Sequence, residues 1–285
     1  MLIDSHQHFW SPSRGDYRWL KPETGSIYRD YGPLDLAPWL NWANIERTVL
    51  VQAADSVAET NYLLSIARET PFVAGVVGWV DLEARTAPSQ LERLAADPLI
   101  CGIRPMIQDM PDVAWMLRPS LAPGIKALSS TNLAFDALVR MDHLPHLRTF
   151  LRRYPELRVV IDHGAKPSIP CGMRPWLSFT AWRDHMIEIA RESTACCKLS
   201  GLVTETEGEW TTSDLRPYVD VLFESFGPRR LLWGSDWPVV DLAGGFEAWW
   251  RATVELLSGL SQEDIDAVLG GNAATFYRLH ARSLA

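Results

Sequence analysis

The chain has 285 residues, of which 47% are hydrophobic and 22% charged, a balance typical of a globular protein with one large or two small domains. A net charge of −8 without any basic run argues against nucleic acid, because binding to a phosphate backbone needs clustered lysine and arginine. The sequence shows no secretory leader, no apolar stretch of membrane-spanning length and no Cys-x-x-Cys pair among its four cysteines. We therefore expect a cytoplasmic protein that acts on a small molecule.

Short apolar runs rich in β-branched residues recur from one end of the chain to the other. Most of them do not alternate between apolar and polar residues, which is typical of parallel strands that are buried on both faces. The eight predicted strands are residues 2–6, 48–53, 72–80, 100–106, 133–139, 158–162, 195–199 and 231–234.

Helical patterns fill the intervals between these runs, at residues 36–45, 58–68, 88–96, 144–153, 176–192, 215–226 and 246–257. The fourth interval is less regular, because Pro111, Pro119 and Pro123 divide residues 112–128 into short helices at best. Strand–helix alternation indicates βαβ units, and eight such units close into a (β/α)8 TIM barrel. We predict one domain over residues 1–285, with a helical tail at 261–269 and 272–280 packed against the outside of the barrel.

The connections differ in length at the two ends of the predicted strands. Residues 11–35, 164–175 and 201–214 form long connections after strand carboxyl ends, whereas residues 68–72 and 154–158 are short connections at the opposite end. Long loops in a compact domain are usually functional, and barrel enzymes build their sites at the carboxyl ends of the strands. The asymmetry favours a catalytic mouth at that end.

The first predicted strand carries two histidines, His6 and His8, near its carboxyl end. Side chains alternate between the faces of a strand, so both imidazoles point the same way and can form half of a divalent-metal site. The structural alternative is a pair of hydrogen-bonded barrel residues with Asp4 as their partner.

Three further strands end in polar residues: Arg104 after the fourth, His163 after the sixth and Asp236 after the eighth. In a barrel all of them converge on the mouth with the two histidines. Each has a structural alternative. Arg104 could form an ion pair with Asp236 or Asp4 in the barrel interior. His163 could be a core histidine whose ring is fully hydrogen-bonded, with Asp162 facing the helices. Asp236 could belong to an Asx-type turn.

The ordered set of motifs resembles the amidohydrolase superfamily. It consists of His-x-His on the first strand, Asp-His followed by Lys-Pro, Cys-Lys-Leu-Ser-Gly, Gly-Ser-Asp-Trp-Pro and a closing Gly-Asn-Ala-Ala-x-Phe-Tyr, and it runs from residue 2 to about residue 279. Within amidohydrolase family 2 it is most similar to the sugar-lactonase branch, which includes lactonases of L-fuconate and of 2-pyrone-4,6-dicarboxylate. The resemblance implies a (β/α)8 barrel that hydrolyses a lactone at its mouth.

The resemblance also implies roles for the strand-end residues. His6, His8 and His163 would be metal ligands or groups that polarise the carbonyl. Asp236 would be a metal ligand and the general base that activates water, and Arg104 would bind the substrate. The seventh strand carries Lys198 and Ser200 in place of a histidine, so a two-metal site is not expected. We expect one Zn²⁺ at most, since some lactonases of this branch are thought to work without metal.

Four residues outside this set are secondary candidates. His185, near the start of the predicted sixth helix, could donate a proton or hold a sugar hydroxyl, and an exposed helix histidine is the alternative. Trp79 and Trp237 are aromatic residues at strand ends that suit the apolar face of a sugar ring. Lys166 could bind substrate, although a solvated or snorkelling lysine is the simpler fate of both Lys166 and Lys198.

The predicted function is hydrolysis of a sugar 1,5- or 1,4-lactone to the sugar acid, with an L-fucono-lactone as the first candidate and sugar-acid catabolism as the setting. A metal-dependent decarboxylase of the same superfamily is one alternative. An aromatic dicarboxylate lactonase is another, and it would need several arginines in the mouth. The last alternative is a barrel that binds a sugar acid without turning it over. The sequence leaves the oligomeric state open.

Overall fold

Eight parallel strands form one sheet in which each strand pairs with the next along the chain. The structure, a computed structural model, describes residues 1–171 and 177–279. The strands are β1 (Ile3–Gln7), β2 (Arg47–Val51), β3 (Val73–Gly78), β4 (Ile100–Ile103), β5 (Ala134–Ala137), β6 (Val159–Ile161), β7 (Cys196–Leu199) and β8 (Leu231–Trp233). All eight predicted strands are confirmed, and most are shorter than predicted because the polar residues that follow them belong to loops.

The first and last strands meet and close the sheet into a barrel. Gln7 forms a parallel bridge with Trp237, just beyond the end of β8. The His8 N–H donates to the Trp237 carbonyl at 2.7 Å, and the Asp236 N–H donates to the His6 carbonyl at 2.8 Å. These bonds also fix the backbone of both strand ends at the mouth. The predicted (β/α)8 barrel is confirmed.

Eight helices surround the strands: α1 (Pro33–Ala43), α2 (Val57–Glu69), α3 (Ala87–Ala95), α4 (Ala122–Ser130), α5 (Leu144–Arg153), α6 (Leu177–Glu192), α7 (Thr212–Phe226) and α8 (Gly245–Leu257). Residue 176, the first of the predicted sixth helix, lies outside the described residues. Helix α2 begins where the Ser56 hydroxyl accepts the Glu59 N–H at 3.0 Å, a standard N-cap. None of the helices in the described part of the chain is long and apolar enough to cross a membrane.

The fourth interval contains a more regular helix than the prolines suggested. Helix α4 runs for nine residues from Ala122, and Pro123 lies in its first turn. A backbone N–H in the first turn has no partner within the helix, so a proline there removes no hydrogen bond. Proline therefore marks the start of this helix, and the prediction of short helices in this interval is confirmed by it and by the two three-residue 3₁₀ helices before it, Trp115–Leu117 and Pro119–Leu121.

The C-terminal tail consists of α9 (Gln262–Asp266), a π-helical turn (Ala267–Gly271) and α10 (Asn272–Phe276). It contacts the amino ends of the strands: the Asn272 amide donates to the carbonyls of Pro228 and Leu231 at 2.7 Å. Tyr277 enters the barrel, where its hydroxyl donates to Asp136 Oδ2 at 2.6 Å. The helical tail is confirmed, but it packs across the amino end of the barrel, a position that differs from the outer side predicted. Residue 280 lies outside the described residues.

Candidate active site

Three imidazoles and one carboxylate converge at the mouth of the barrel. Asp236 Oδ1 lies 3.3 Å from His8 Nε2, 3.7 Å from His6 Nε2 and 3.9 Å from His163 Nε2. The two Nε2 atoms of His6 and His8 are 3.2 Å apart. All four side chains are buried, so this cluster forms the floor of the mouth. The convergence predicted from the strand ends is therefore present in the structure.

Unusual backbone conformations aim two of these side chains inward. His163 has φ 52° and Asp236 has φ 57°, in the left-handed region that residues with a Cβ rarely adopt. Such strain tends to be kept where it positions functional groups. Gly201, at φ 61°, lies against the His163 ring, and a Cβ on this residue would collide with His163 Nδ1. The turn after β7 thus leaves room for the imidazole.

The hydrogen bonds of His8 decide which of its nitrogens faces the site. Its Nδ1 lies 2.8 Å from the Val51 carbonyl, which can only accept, so Nδ1 carries the proton. Burial lowers the pKa of His8, and the neutral ring then presents the lone pair of Nε2 to Asp236. Burial opposes ionisation of Asp236, but the imidazoles, His163 first, outweigh it and hold its pKa below the ordinary value. Two acceptors 3.3 Å apart need a proton or a cation beside them, and His6 Nε2, 3.2 Å from His8 Nε2, can supply that proton because Lys198 donates to His6 Nδ1.

His163 is held from its other side by Ser200, whose hydroxyl lies 2.9 Å from Nδ1. Burial lowers the pKa of His163 to about 4, so the ring is neutral at pH 7. Its Nε2 is thus also available as a ligand or hydrogen-bond partner. In the described residues, His6, His163 and Asp236 form a group whose ligand atoms all lie within 4.8 Å of one another, as a metal site requires.

A fully buried lysine lies directly behind this cluster. Lys198 Nζ is 2.6 Å from Asp136 Oδ2, 2.9 Å from Asp162 Oδ1 and 2.9 Å from His6 Nδ1. Burial opposes its charge, but the two carboxylates outweigh burial and raise the pKa of Lys198, so the ammonium is charged. The prediction of a solvated or snorkelling lysine was wrong, because paired carboxylates stabilise the charge inside the barrel.

Arg104 joins this network from the end of β4. Its guanidinium lies 3.4 Å from Asp162 Oδ2 and 3.3 Å from His6 Nε2, and it also donates to the Gln52 carbonyl. The Gln52 side chain returns a hydrogen bond to the Arg104 carbonyl at 2.6 Å. Burial opposes ionisation of Asp162, but Lys198 and His6 outweigh it and hold its pKa well below the ordinary value.

Two structural alternatives predicted from sequence are corrected by these contacts. Arg104 pairs with Asp162 and not with Asp236 or Asp4. Asp162 points into the barrel and not toward the helices, because it comes two residues after Val160, which packs inside the barrel, and strand side chains alternate; the left-handed backbone of His163 then turns the next side chain inward as well. Asp4 has a separate role: it accepts hydrogen bonds from the Ser235 hydroxyl at 2.5 Å and from the His6 N–H at 3.1 Å.

The structure does not bring four secondary candidates to the cluster. His185 lies in the middle of α6, 34% exposed, with Glu188 at 4.0 Å; the helix begins at Leu177 as predicted to within one residue, but residue 185 is about two turns further along it and does not reach the mouth. Trp237 is 1% exposed and packs edge-on against Tyr31 at 5.1 Å, so it belongs to the core. Lys166 is paired with Glu205 at 2.7 Å on the rim, and Trp79 lines a separate pocket.

Sequence reasoning gave no role to several residues of the network, namely Gln52, Asp136, Asp162, Lys198 and Tyr277. A signal was present for two of them. Asp136 and Lys198 are charged residues inside short, otherwise apolar strands, and a buried charge needs a partner of opposite sign. Because these two residues carry opposite charges, matching Asp136 with Lys198 would have predicted the ion pair between them.

A (β/α)8 barrel with histidines and an aspartate at its mouth defines a barrel enzyme, and comparisons with known proteins identify the family. The amidohydrolase family matches residues 3–279. The L-fucono-1,5-lactonase of Burkholderia ambifaria is 46% identical over 281 residues, which cover 97% of this chain and 95% of that protein. The L-fucono-1,5-lactonase of Burkholderia multivorans is 36% identical and covers 98% of this chain and 96% of that protein.

A solved structure agrees with these sequence matches. An amidohydrolase from Burkholderia multivorans with bound zinc has a TM-score of 0.91 and 34% identity, covering 98% of this chain and all of that one. The chain belongs to the amidohydrolase family. The resemblance predicted from the motifs, including the sugar-lactonase branch, is confirmed.

Proposed function

We propose that this chain is a lactonase that opens a sugar 1,5- or 1,4-lactone to the sugar acid, with L-fucono-1,5-lactone as the first candidate substrate. The observation that carries the proposal is the ionised Asp236 surrounded by three imidazoles at the floor of the mouth. The two curated relatives described above bear the name L-fucono-1,5-lactonase and match nearly the whole chain, which supports this substrate class.

His6, His163 and Asp236, whose ligand atoms lie within 4.8 Å of one another, would hold one zinc ion, with His8 beside them as a further donor. Zinc–nitrogen bonds of about 2.0–2.1 Å place the donors of a tetrahedral site roughly 3.3 Å apart. The contacts of 3.2, 3.3 and 3.7 Å among His6, His8 and Asp236 lie near that spacing. A bound zinc ion supplies a Lewis acid for the lactone carbonyl.

In the proposed reaction Asp236 takes a proton from the attacking water. The water oxygen bonds to the carbonyl carbon, the carbonyl oxygen gains negative charge, and the positively charged Arg104 near His6 stabilises this charge. The bond between the carbonyl carbon and the ring oxygen then breaks. The proton held by Asp236 passes to the leaving alkoxide, which becomes the free hydroxyl of the sugar acid.

Lys198 and Asp162 have a positioning role in this reaction. The Lys198 ammonium contacts His6 Nδ1 at 2.9 Å, and Asp162 holds both Lys198 and Arg104. These contacts fix the His6 ring and the guanidinium before substrate binds, and such preorganisation is a large part of electrostatic catalysis. We also infer a cytoplasmic location, because all four cysteines are free thiols.

The test is hydrolysis of a panel of L- and D-sugar lactones, followed by proton release against uncatalysed controls. Protein as purified and protein treated with a chelator are compared, with zinc content measured in both. Turnover of L-fucono-1,5-lactone supports the proposal. Loss on chelation and recovery with zinc assign the metal a role, and full activity without zinc assigns carbonyl polarisation to Arg104 and the imidazoles. No turnover of any lactone would contradict the proposal and favour the decarboxylase alternative.

A further inference from the structure

A pocket of about 380 Å³ lies beside the His/Asp cluster and is distinct from it. Its walls come from the loops that follow β1, β2, β3 and β4. The apolar part of the wall consists of two indoles, two thioethers and two methyl groups, from Trp19, Trp79, Met106, Met110, Ala53 and Ala54. None of these residues belongs to the cluster.

Two routes of contacts connect this pocket to the cluster, each through one intervening residue. The Trp19 indole N–H donates to the Ala53 carbonyl at 2.7 Å, which fixes one wall. The Trp19 ring packs edge-on against Trp10 at 5.3 Å, and Trp10 stacks on His8 at 6.2 Å. Ala53 directly follows Gln52, whose carbonyl accepts from Arg104. The pocket and the cluster therefore lie on the same end of the barrel, with Trp10 and Gln52 between them.

The chemistry of the wall suits an uncharged ring with an apolar face. Indole rings and thioethers pack against the C–H face of a sugar and against a methyl substituent. The hydroxyl groups of the same ring can donate to the carboxylates of Asp16, Asp55 and Asp109, which line the pocket as well.

The charges of the pocket are unfavourable for a ligand that carries carboxylates. Arg18 is the arginine among the described lining residues; its side chain is 85% exposed and lies 3.8 Å from Asp55. Asp16 is paired with Arg14 at 2.7 Å. A dicarboxylate would thus meet three carboxylates and one arginine that already has a partner, and recognition of carboxylates needs free, well-placed guanidinium groups.

We propose that this pocket binds the sugar portion of the lactone and selects an uncharged deoxy-sugar lactone over a hydroxymethyl or a dicarboxylate lactone. The proposal rests on the lactonase function proposed above and adds the residues that determine specificity. Trp79 and Met106 contact the apolar face and the methyl group, and Asp55 and Asp109 contact the hydroxyls.

The experiment compares steady-state kinetics of the wild type, Trp79→Ala, and the double variant Asp55→Lys with Asp109→Lys. Substrates are L-fucono-1,5-lactone and its hydroxymethyl counterpart, L-galactono-1,5-lactone, and 2-pyrone-4,6-dicarboxylate is the inhibitor. Glu209→Lys is the matched control, because Glu209 is exposed at the mouth in the loop after β7, away from this pocket.

The wild type should prefer the deoxy lactone by about tenfold in kcat/KM, the discrimination that one small apolar group gives in a pocket. Trp79→Ala should raise KM for the deoxy lactone about tenfold and keep kcat within about threefold, since it removes binding that ground and transition states share. The double variant should bind the dicarboxylate about tenfold more tightly at low salt, and Glu209→Lys should leave the inhibition constant unchanged.

An unchanged KM in Trp79→Ala, or equal effects of Glu209→Lys and the double variant, would overturn the pocket assignment while the lactonase function stands. No turnover by the wild type would overturn the lactonase function instead. Calorimetric binding of L-fucono-1,5-lactone to the wild type and to Trp79→Ala would then decide the pocket: binding weakened about tenfold in the variant supports it, and equal binding overturns it.

Discussion

Replacing Lys198 with methionine removes the ammonium group that neutralises two buried carboxylates. The group makes three contacts of 2.6–2.9 Å, to Asp136, Asp162 and His6, and all of these side chains are buried. Removing one partner of a buried pair costs about 3–5 kcal/mol, because an uncompensated charge stays inside. We expect Lys198→Met to lower the free energy of unfolding by at least about 3 kcal/mol at pH 7.

The free energy of unfolding is measured by urea denaturation, with Lys166→Met as the matched control. Lys166 pairs with Glu205 at 2.7 Å, but both side chains are about one-fifth exposed, so this variant should lose no more than about 1 kcal/mol. Without Lys198, burial should raise the pKa of Asp162, and the lost stability should partly return as the pH falls through that raised pKa. Equal stabilities of the two variants, or a Lys198→Met defect that grows in acid, would refute a charged lysine inside the barrel.

Three further predictions concern separate parts of the mouth. Burial raises the pKa of Glu59 to about 7, although hydrogen bonds from the Ala53 and Ala54 N–H groups oppose the shift. The stabilisation from the protonated Glu59 side chain is therefore present below about pH 4.5 and is lost as the pH rises through about 7. Between these limits the loss is about 3 kcal/mol, and denaturation curves of Glu59→Gln should lack this slope. Gly201→Ala should lower kcat by about tenfold or more and lower the free energy of unfolding, because the added Cβ collides with His163 and residue 201 has a left-handed φ. The control is Ser200→Ala, which removes a hydrogen bond to the same imidazole without a collision. Equal losses of kcat and stability in the two variants would contradict the steric reason. His8→Gln should bind zinc at least about a hundredfold more weakly by competitive chelation, because even an outer-shell partner contributes about ten- to a hundredfold; unchanged affinity would remove His8 from the ligand set.

The sequence was sufficient to predict the strands and the residues at their carboxyl ends. Strand periodicity placed His6 and His8 on one face, and the barrel topology brought Arg104, His163 and Asp236 to the same mouth. These predictions depend on regular geometry, which a sequence pattern expresses directly.

The remaining parts depend on side-chain direction and pairing over long distances. His163 faces inward beside Asp162 because its own backbone is left-handed, and no local pattern predicts that conformation. Lys198 is buried because Asp136 and Asp162, on two other strands, pair with it, and the pairing exists only once the barrel has closed. His185 was placed too close to the mouth although its helix begins at Leu177, within one residue of the predicted start, because residue 185 lies about two turns further along that helix.

The most direct test of the central claim is the kcat of Asp236→Asn on L-fucono-1,5-lactone. Asparagine keeps the shape of the side chain but cannot take the proton of water, and general-base catalysis contributes about 10²–10⁴-fold. We expect a loss of that size with an unfolding curve close to that of the wild type, whereas Asp220→Asn, on the exposed face of α7, should keep full activity. A folded Asp236→Asn variant with kcat within about threefold of the wild type would contradict the role of Asp236 as the base.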